Sequence, residues 1–211
     1  GLLFHYLKTP GEDFYIGQLS LALTGPIDID YFKQAWRFVV DTNEMLRCYF
    51  RWETLKNPVQ IILGQYEPCL RFHDFSNNSQ DEALHHLEKV KSADREEAFD
   101  LGRVPSRITF CKLNENCWEM ILSNHHILYD GWSNGIILKE FFKAFRELNK
   151  GGTLIPVAKP GFKEFVKLIY ERMKGPSTKK YKTLGTPENV LVLNSLSALA
   201  TRNWTNSTFE G

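Results

Sequence analysis

The sequence predicts an α/β fold, a sandwich of helices on a mixed or largely antiparallel sheet. Three observations predict it. Short runs with two-residue apolar alternation are interleaved with longer runs of three- and four-residue spacing. A hairpin feeds straight into an amphipathic helix past the middle of the chain. The 211 residues, 43% hydrophobic and 24% charged, suit one sizeable core or two small lobes.

Gly1 to Leu7 reads as a short helix closed by Pro10-Gly11. From Tyr15 to Leu23, Leu19, Leu21 and Leu23 alternate with Ser20 and Ala22, the period of a half-buried strand that Gly25-Pro26 ends. Asp28 is placed to cap a helix whose Ile29, Phe32, Ala35, Trp36, Val39 and Val40 share one face. Met45 to Glu53 alternates Leu46, Cys48, Phe50 and Trp52 against Arg47 and Arg51, which predicts a strand with Arg47 on its non-core side. Strands follow at Val59–Leu63 and Cys69–Phe72, then a polar helix from about Gln80 to Phe99 with Ala83, Leu84, Leu87 and Val90 on one face. Arg107–Leu113 and Cys117–Leu122 form a hairpin across Asn114-Glu115-Asn116. A helix from about Ser133 to Leu148 carries Ile137, Leu138, Phe141, Phe142 and Phe145, and stops at Gly151-Gly152. Pro160 to Met173 gives another amphipathic helix, Gly175 to Thr186 a Lys-, Thr-, Gly- and Pro-rich linker, and Val190 to Trp204 a last helix.

Composition removes several function classes. A formal net charge of +1 gives no electrostatic reason to expect nucleic acid or an anionic membrane surface. Cys48, Cys69, Cys111 and Cys117 lack the short spacing of a zinc or redox site and read as buried thiols of a reducing compartment. No apolar run approaches the length needed to span a bilayer, so a cytoplasmic location is expected. Asn77-Asn78-Ser79, Asn203-Trp204-Thr205 and Asn206-Ser207-Thr208 match the glycosylation pattern by chance on this reading. Both termini look cut, since Gly1-Leu2-Leu3-Phe4 enters an apolar segment with no starting Met or cap.

The junction between hairpin and helix, Ser123 to Ser133, combines two adjacent histidines, an aspartate, a glycine and a helix start. A histidine titrates near neutrality, so His126 can take a proton from an attacking amine or hydroxyl, or hold that group in place. Asp130 can fix the ring or lock the loop through an arginine, and Gly131 lets the backbone turn into the helix. A metal site built from His125, His126 and Asp130 is the competing reading. Neighbouring residues on extended backbone point to opposite sides, so both histidines could not readily bind one ion, and no metal is expected. Trp132 is expected to pack in the core. The doublet His85-His86 lies on the polar helix without a following Asp-Gly and is read as surface.

His125-His126-Ile127-Leu128-Tyr129-Asp130-Gly131-Trp132-Ser133 resembles the His-His-x-x-x-Asp-Gly motif of the condensation domains of nonribosomal peptide synthetases. Gly1-Leu2-Leu3-Phe4-His5 resembles the end of that family's first motif, in the form seen where the donor is D-configured; Tyr15 with Gln18 and Phe32 with Ala35-Trp36 fit that form too. Glu44-Met45-Leu46-Arg47-Cys48-Tyr49-Phe50 resembles the family's Arg-His-Glu-x-Leu-Arg-Thr-x-Phe segment, with Thr42 and Asn43 standing where that pattern has Arg and His. Ala98-Phe99-Asp100-Leu101, Pro105 and Arg107 resemble the lead into the hairpin.

The resemblance, over about the first 170 residues, implies a two-lobed fold similar to chloramphenicol acetyltransferase with the histidine loop at the lobe interface. Residues 1–174 would form the N-terminal lobe, 175–189 a linker and 190–211 the truncated start of the second lobe. Donor and acceptor peptidyl carrier proteins would present thioesters on their phosphopantetheine arms, next to an adenylation domain, with no cofactor bound directly. The acceptor amine would attack the donor carbonyl to form an amide. His126 would be catalytic, as base or positioning group; His125 would shape the loop, and Asp130 would be structural, paired with Arg47. One histidine suffices because a thioester is already activated. Two other readings stay open: an inactive or truncated lobe that binds a carrier or neighbouring synthetase domain, and an acyl-coenzyme A-dependent acyltransferase of the same fold.

Overall fold

The computed structural model of the protein describes residues 2–8, 15–173 and 190–193. Helix α1 (Leu2–Lys8) precedes strand β1 (Ile16–Thr24) and helix α2 (Ile29–Thr42). Strands β2 (Cys48–Arg51), β3 (Val59–Leu63) and β4 (Leu70–Asp74) lead to helix α3 (Gln80–Glu96). The hairpin β5 (Ser106–Asn114) and β6 (Cys117–His125) is followed by helices α4 (Gly131–Asn149) and α5 (Phe162–Met173) and strand β7 (Val190–Leu193).

The larger sheet has the order β1-β6-β5-β4. β6 pairs antiparallel with both β1 and β5, while β5 pairs parallel with β4, so the sheet is mixed as the sequence predicted. Alternate residues of β6 face opposite layers. Trp118, Met120 and Leu122 join Ile108 and Phe110 under α2 and α4, whose Phe32, Trp36, Val39, Ile137 and Phe141 complete the main core. Phe32 stacks on Phe110 with centroids 3.9 Å apart. On the other face, Ile121 and Cys111 pack against Leu87 of α3. The helices begin where their caps dictate. Asp28 accepts from the backbone N–H groups of Asp30 and Tyr31 at α2, and Ser79 with Glu82 forms a reciprocal capping box at α3.

A second sheet, β2-β3-β7, pairs β2 antiparallel and β7 parallel to β3. Its Cys48, Phe50 and Ile62 form a second core with Leu101 and Leu128. Leu128 belongs to the histidine turn, so that core anchors the turn.

Four expectations are corrected. The strand expected from Met45 begins only at Cys48, because Glu44–Arg47 continues from α2 as a tight helical turn in which the Leu46 N–H bonds the Asn43 carbonyl at 3.0 Å. A single turn that buries Leu46 mimics strand alternation over so short a run. Helix α3 ends at Glu96 rather than Phe99, and Phe99 instead packs under the Arg107 guanidinium, 4.2 Å from the ring centroid. Val190–Leu193 is a strand where a helix was expected, since β-branched alternation suits pairing along β3. The remainder of that helix, and the linker at 175–189, lie outside the described residues. Finally, Cys48 and Cys111 are buried, but Cys117 is half-buried and Cys69 exposed. Burial pushes the Cys48 and Cys111 thiols up to about 12. No helix among the described residues is long and apolar enough to cross a membrane.

Candidate functional site

Strand β6 runs on through Ser123, Asn124 and His125, so the histidine pair straddles the strand end rather than sitting within a loop. Four backbone contacts hold the turn that follows. The His125 N–H donates to the Pro105 carbonyl at 3.0 Å, the His126 N–H to the Tyr15 carbonyl at 2.8 Å, and the Leu128 N–H to the His125 carbonyl at 3.0 Å. The Ile127 N–H donates to His125 Nδ1 at 3.0 Å. Leu128 then plugs into the second core at 3% exposure. Tyr129, its phenol pushed up by burial, packs against both cores.

Alternation along the strand separates the two histidines. His125 is fully buried beside Tyr6 and Tyr15, with ring centroids at 6.2 and 6.1 Å. Because its Nδ1 accepts a backbone hydrogen bond, His125 is held as the neutral Nε2–H tautomer, which suits a packing role. His126 is exposed. Its ring lies over Gly17 of β1: a Cβ at position 17 would sit 3.4 Å from both Cε1 and Nε2 of His126, and 3.6 Å from Asn124 Oδ1. Gly17 and Asn124 are direct cross-strand partners, which puts their side-chain positions on one face. Sequence reasoning did not single out either residue. A glycine inside a strand is the available signal, since it marks a close approach, but only the register tells what approaches.

Asp130 does not meet Arg47. Its Oδ1 accepts from the Ser133 N–H at 3.2 Å and the Ser133 hydroxyl at 3.1 Å, making it the N-cap of α4. The Arg47 guanidinium turns the other way and donates to the Leu63 and Gly64 carbonyls at the end of β3. Among the described residues no ion pair joins the two. The reason is local: an aspartate immediately before a helix finds unpaired N–H donors within its own turn, while Arg47 closes the turn that leads into β2. Asn43 donates from Nδ2 to Glu140 at 2.8 Å and accepts at Oδ1 from Lys159 at 2.9 Å, so it ties α2 to α4. Gly131 is simply the first residue of α4; its φ is not positive and nothing crowds it, so the turn does not depend on glycine there. Trp132, expected in the core, is 90% exposed. It stands on the outward face of the first turn of α4, as does Ile136 one turn later, at 62% exposure.

Two residues before His125, a buried polar network anchors the strand. Ser123 donates to Asp94 Oδ2, and Gln18 of β1 donates to the same oxygen at 2.7 Å. Arg107 of β5 donates from Nε to Asp94 Oδ1 at 2.6 Å and from Nη2 to the Asp94 and Glu97 carbonyls at 2.5 and 2.7 Å. Arg95 donates to Gln18 Oε1 at 2.9 Å. Burial raises the Asp94 carboxyl, but the hydrogen bonds from Ser123, Arg107 and Gln18 and the Arg107 charge outweigh it and hold the carboxyl below the usual range. One residue of α3 thus ties β1, β6 and β5 together beside the histidine turn. A sequence signal existed, because Asp94 continues the stripe of Ala83, Leu87 and Val90, where a charge must find a partner.

The sequence matches the family described as Condensation domain over residues 1–184. It is 36% identical over 152 residues to one of the linear gramicidin synthase proteins of Brevibacillus parabrevis, a match that covers 72% of this chain and 2% of that protein. Surfactin synthase subunit 3 of Bacillus subtilis (strain 168) is 28% identical over 184 residues, 86% of this chain and 14% of its own length. The starter condensation domain of rhizomide synthetase RzmA superposes with a TM-score of 0.73 at 17% identity, over 82% of this chain and 43% of that one. The first condensation domain of the calcium-dependent antibiotic synthetase gives 0.73 at 20% identity, over 83% and 42%. The fold is therefore the chloramphenicol-acetyltransferase-like α/β sandwich that the sequence predicted. The chain spans less than half the length of these solved structures and no more than 14% of these synthases.

Proposed function

Because the chain belongs to the condensation-domain family, we propose that it takes part in forming amide bonds between carrier-bound substrates, with His126 handling the attacking amine. The observation that carries this reading is the placement of His126: exposed just past the end of β6, on a turn held by hydrogen bonds of its backbone N–H groups. The similarity to proteins named as linear gramicidin and surfactin synthases supports a peptide synthetase setting.

In this reaction the acceptor amine adds to the thioester carbonyl of the donor, and an N–H proton passes to His126 Nε2. As the C–N bond is completed the C–S bond breaks, and the proton moves on to the departing sulfur to give a free thiol. The thioesters are carried on the phosphopantetheine arms of donor and acceptor carrier proteins, which supply an activated acyl group and a long reach. His125 does not share the proton transfer, since its ring is buried and committed to the backbone. Asp130 serves by starting α4. Residues 1–174 act as the N-terminal lobe, and Val190–Leu193, expected to begin a second lobe, adds instead to the sheet of β2 and β3. An adenylation domain is the expected neighbour, and the cytoplasm the setting.

The test is a single-turnover assay with loaded donor and acceptor carriers and the native polypeptide that carries this sequence. His126→Ala is expected to lower amide formation by about a hundredfold or more. Undiminished turnover by that variant refutes the assignment.

A further inference from the structure

A cavity of about 600 Å³, which no residue of the histidine turn lines, lies where β2 of the second sheet, β4 of the first and the lead into β5 meet. Alternation along β2 sends Cys48 and Phe50 into the second core, so Tyr49 and Arg51 face this cavity instead. Arg71 of β4 and Arg103 and Arg107 of the lead-in bring the guanidinium groups in its wall to four. Three of them are matched by carboxylates. Arg107 pairs with Asp94 at 2.6 Å, Arg71 with Glu97 at 2.6 Å, and Arg103 with Asp100 at 3.7 Å. Arg51 pairs with no carboxylate among the described residues, and its Cζ lies 5.4 Å from the centroid of the Tyr49 ring. Tyr49 is 4% exposed, and its buried hydroxyl has no hydrogen-bond partner among the described residues. An unmatched cation and an unpaired hydroxyl on adjacent positions of one wall ask for an anionic acceptor.

We propose that this cavity binds a small organic oxyanion, a phosphate or carboxylate carried on an apolar ring, with Arg51 and the Tyr49 hydroxyl as its polar contacts. A guanidinium offers parallel N–H donors that match two oxygens of such a group, and the phenol donates its O–H to an oxygen as well. The volume is larger than an oxyanion alone requires and falls in the range of sites for small organic ligands. Tyr66, Phe99 and Val104 supply the apolar part of the wall against which a ring can lie. The proposal does not depend on the reaction assigned to His126.

Cys69 provides the readout, because its thiol is exposed and lines the same cavity. In the native polypeptide, alkylation of Cys69 by uncharged iodoacetamide is followed by mass spectrometry with phenyl phosphate or benzoate as the probe. One of the two probes is expected to slow the reaction about fivefold or more at saturation, since a seated ligand blocks access to the sulfur. Phenol, which has the ring without the oxyanion, and sodium chloride at equal ionic strength are expected to leave the rate unchanged. Stronger protection by phenyl phosphate assigns a phosphate ester, and stronger protection by benzoate a carboxylate. Arg51→Gln, at an exposed position, is expected to raise the half-protecting concentration about tenfold through loss of a charge-assisted hydrogen bond. Tyr49→Phe removes only the hydroxyl and is expected to raise it about fivefold. Protection by neither probe beyond that of phenol and salt overturns the proposal. So does protection that both variants leave unchanged.

Discussion

Replacing Asp94 by alanine removes the closer and more deeply buried of the two carboxylates that pair with Arg107. The Arg107 side chain is 4% exposed, and its Nε bond to Asp94 is 2.6 Å long. In the variant Arg107 keeps its bonds to the carbonyls of residues 94 and 97, and a longer contact to Glu97 at 3.7 Å, but loses its close counter-charge. Ser123 loses its acceptor, and Gln18 retains only the Lys91 carbonyl at 3.0 Å. A buried charge left without its partner costs about 3–5 kcal/mol. For a chain of this size that corresponds to a fall in melting temperature of about 6–20 °C. Urea unfolding followed by fluorescence of the five tryptophans reads the effect. Adding Arg107→Met to the alanine variant should restore part of the loss, because the orphaned charge goes with it. The contribution also has a pH signature. Since the folded state holds this carboxyl below its unfolded value of about 3.9, the stabilisation is fully present above that value and is lost as pH falls through the lower folded one. Asp94→Asn should therefore be less stable at pH 7 and less sensitive to acid than the parent. An alanine variant within about 1 kcal/mol of the parent, or a double variant no better than the single one, would refute the reasoning.

Two further outcomes follow from the same geometry. Asp130→Ala should cost about 1 kcal/mol through loss of the α4 cap. In a double-mutant cycle with Arg47→Ala the coupling should fall within about 0.5 kcal/mol of zero, whereas a larger value would restore the ion pair that the sequence had implied. Thiol titration of the folded chain should modify exposed Cys69 first and leave Cys48 and Cys111 unreacted until denaturant is added, since burial raises both thiols to about 12. Rapid loss of all four thiols without denaturant would contradict that order.

Much of the architecture could be read in one dimension. Leu19, Leu21 and Leu23 mark β1 by alternation, and the Asn114-Glu115-Asn116 turn marks the hairpin, because period and turn chemistry act between residues close in the chain. The motif around His126 carried the family as well, since its chemistry is confined to a few consecutive residues. Where a short run was compatible with two local structures, periodicity chose wrongly, as at Glu44–Arg47 and Val190–Leu193. There the burial of Leu46 and the pairing with β3 settled the outcome.

Which groups meet was legible only in three dimensions. Whether Arg47 reaches Asp130 depends on competition with nearer partners, and a helix cap and two strand-end carbonyls won. Whether Trp132 is core or surface depends on which face of α4 the sheet covers, and the sheet covers Ile137 and Phe141. Consecutive residues were enough to put His126 at a strand end before a helix, in the setting of a condensation domain. What stands opposite it, Gly17 and Asn124, follows from the antiparallel register of β1 and β6. Register is set by the burial of whole strand faces, Leu21 and Leu23 against Met120 and Trp118, and not by any residue near the site.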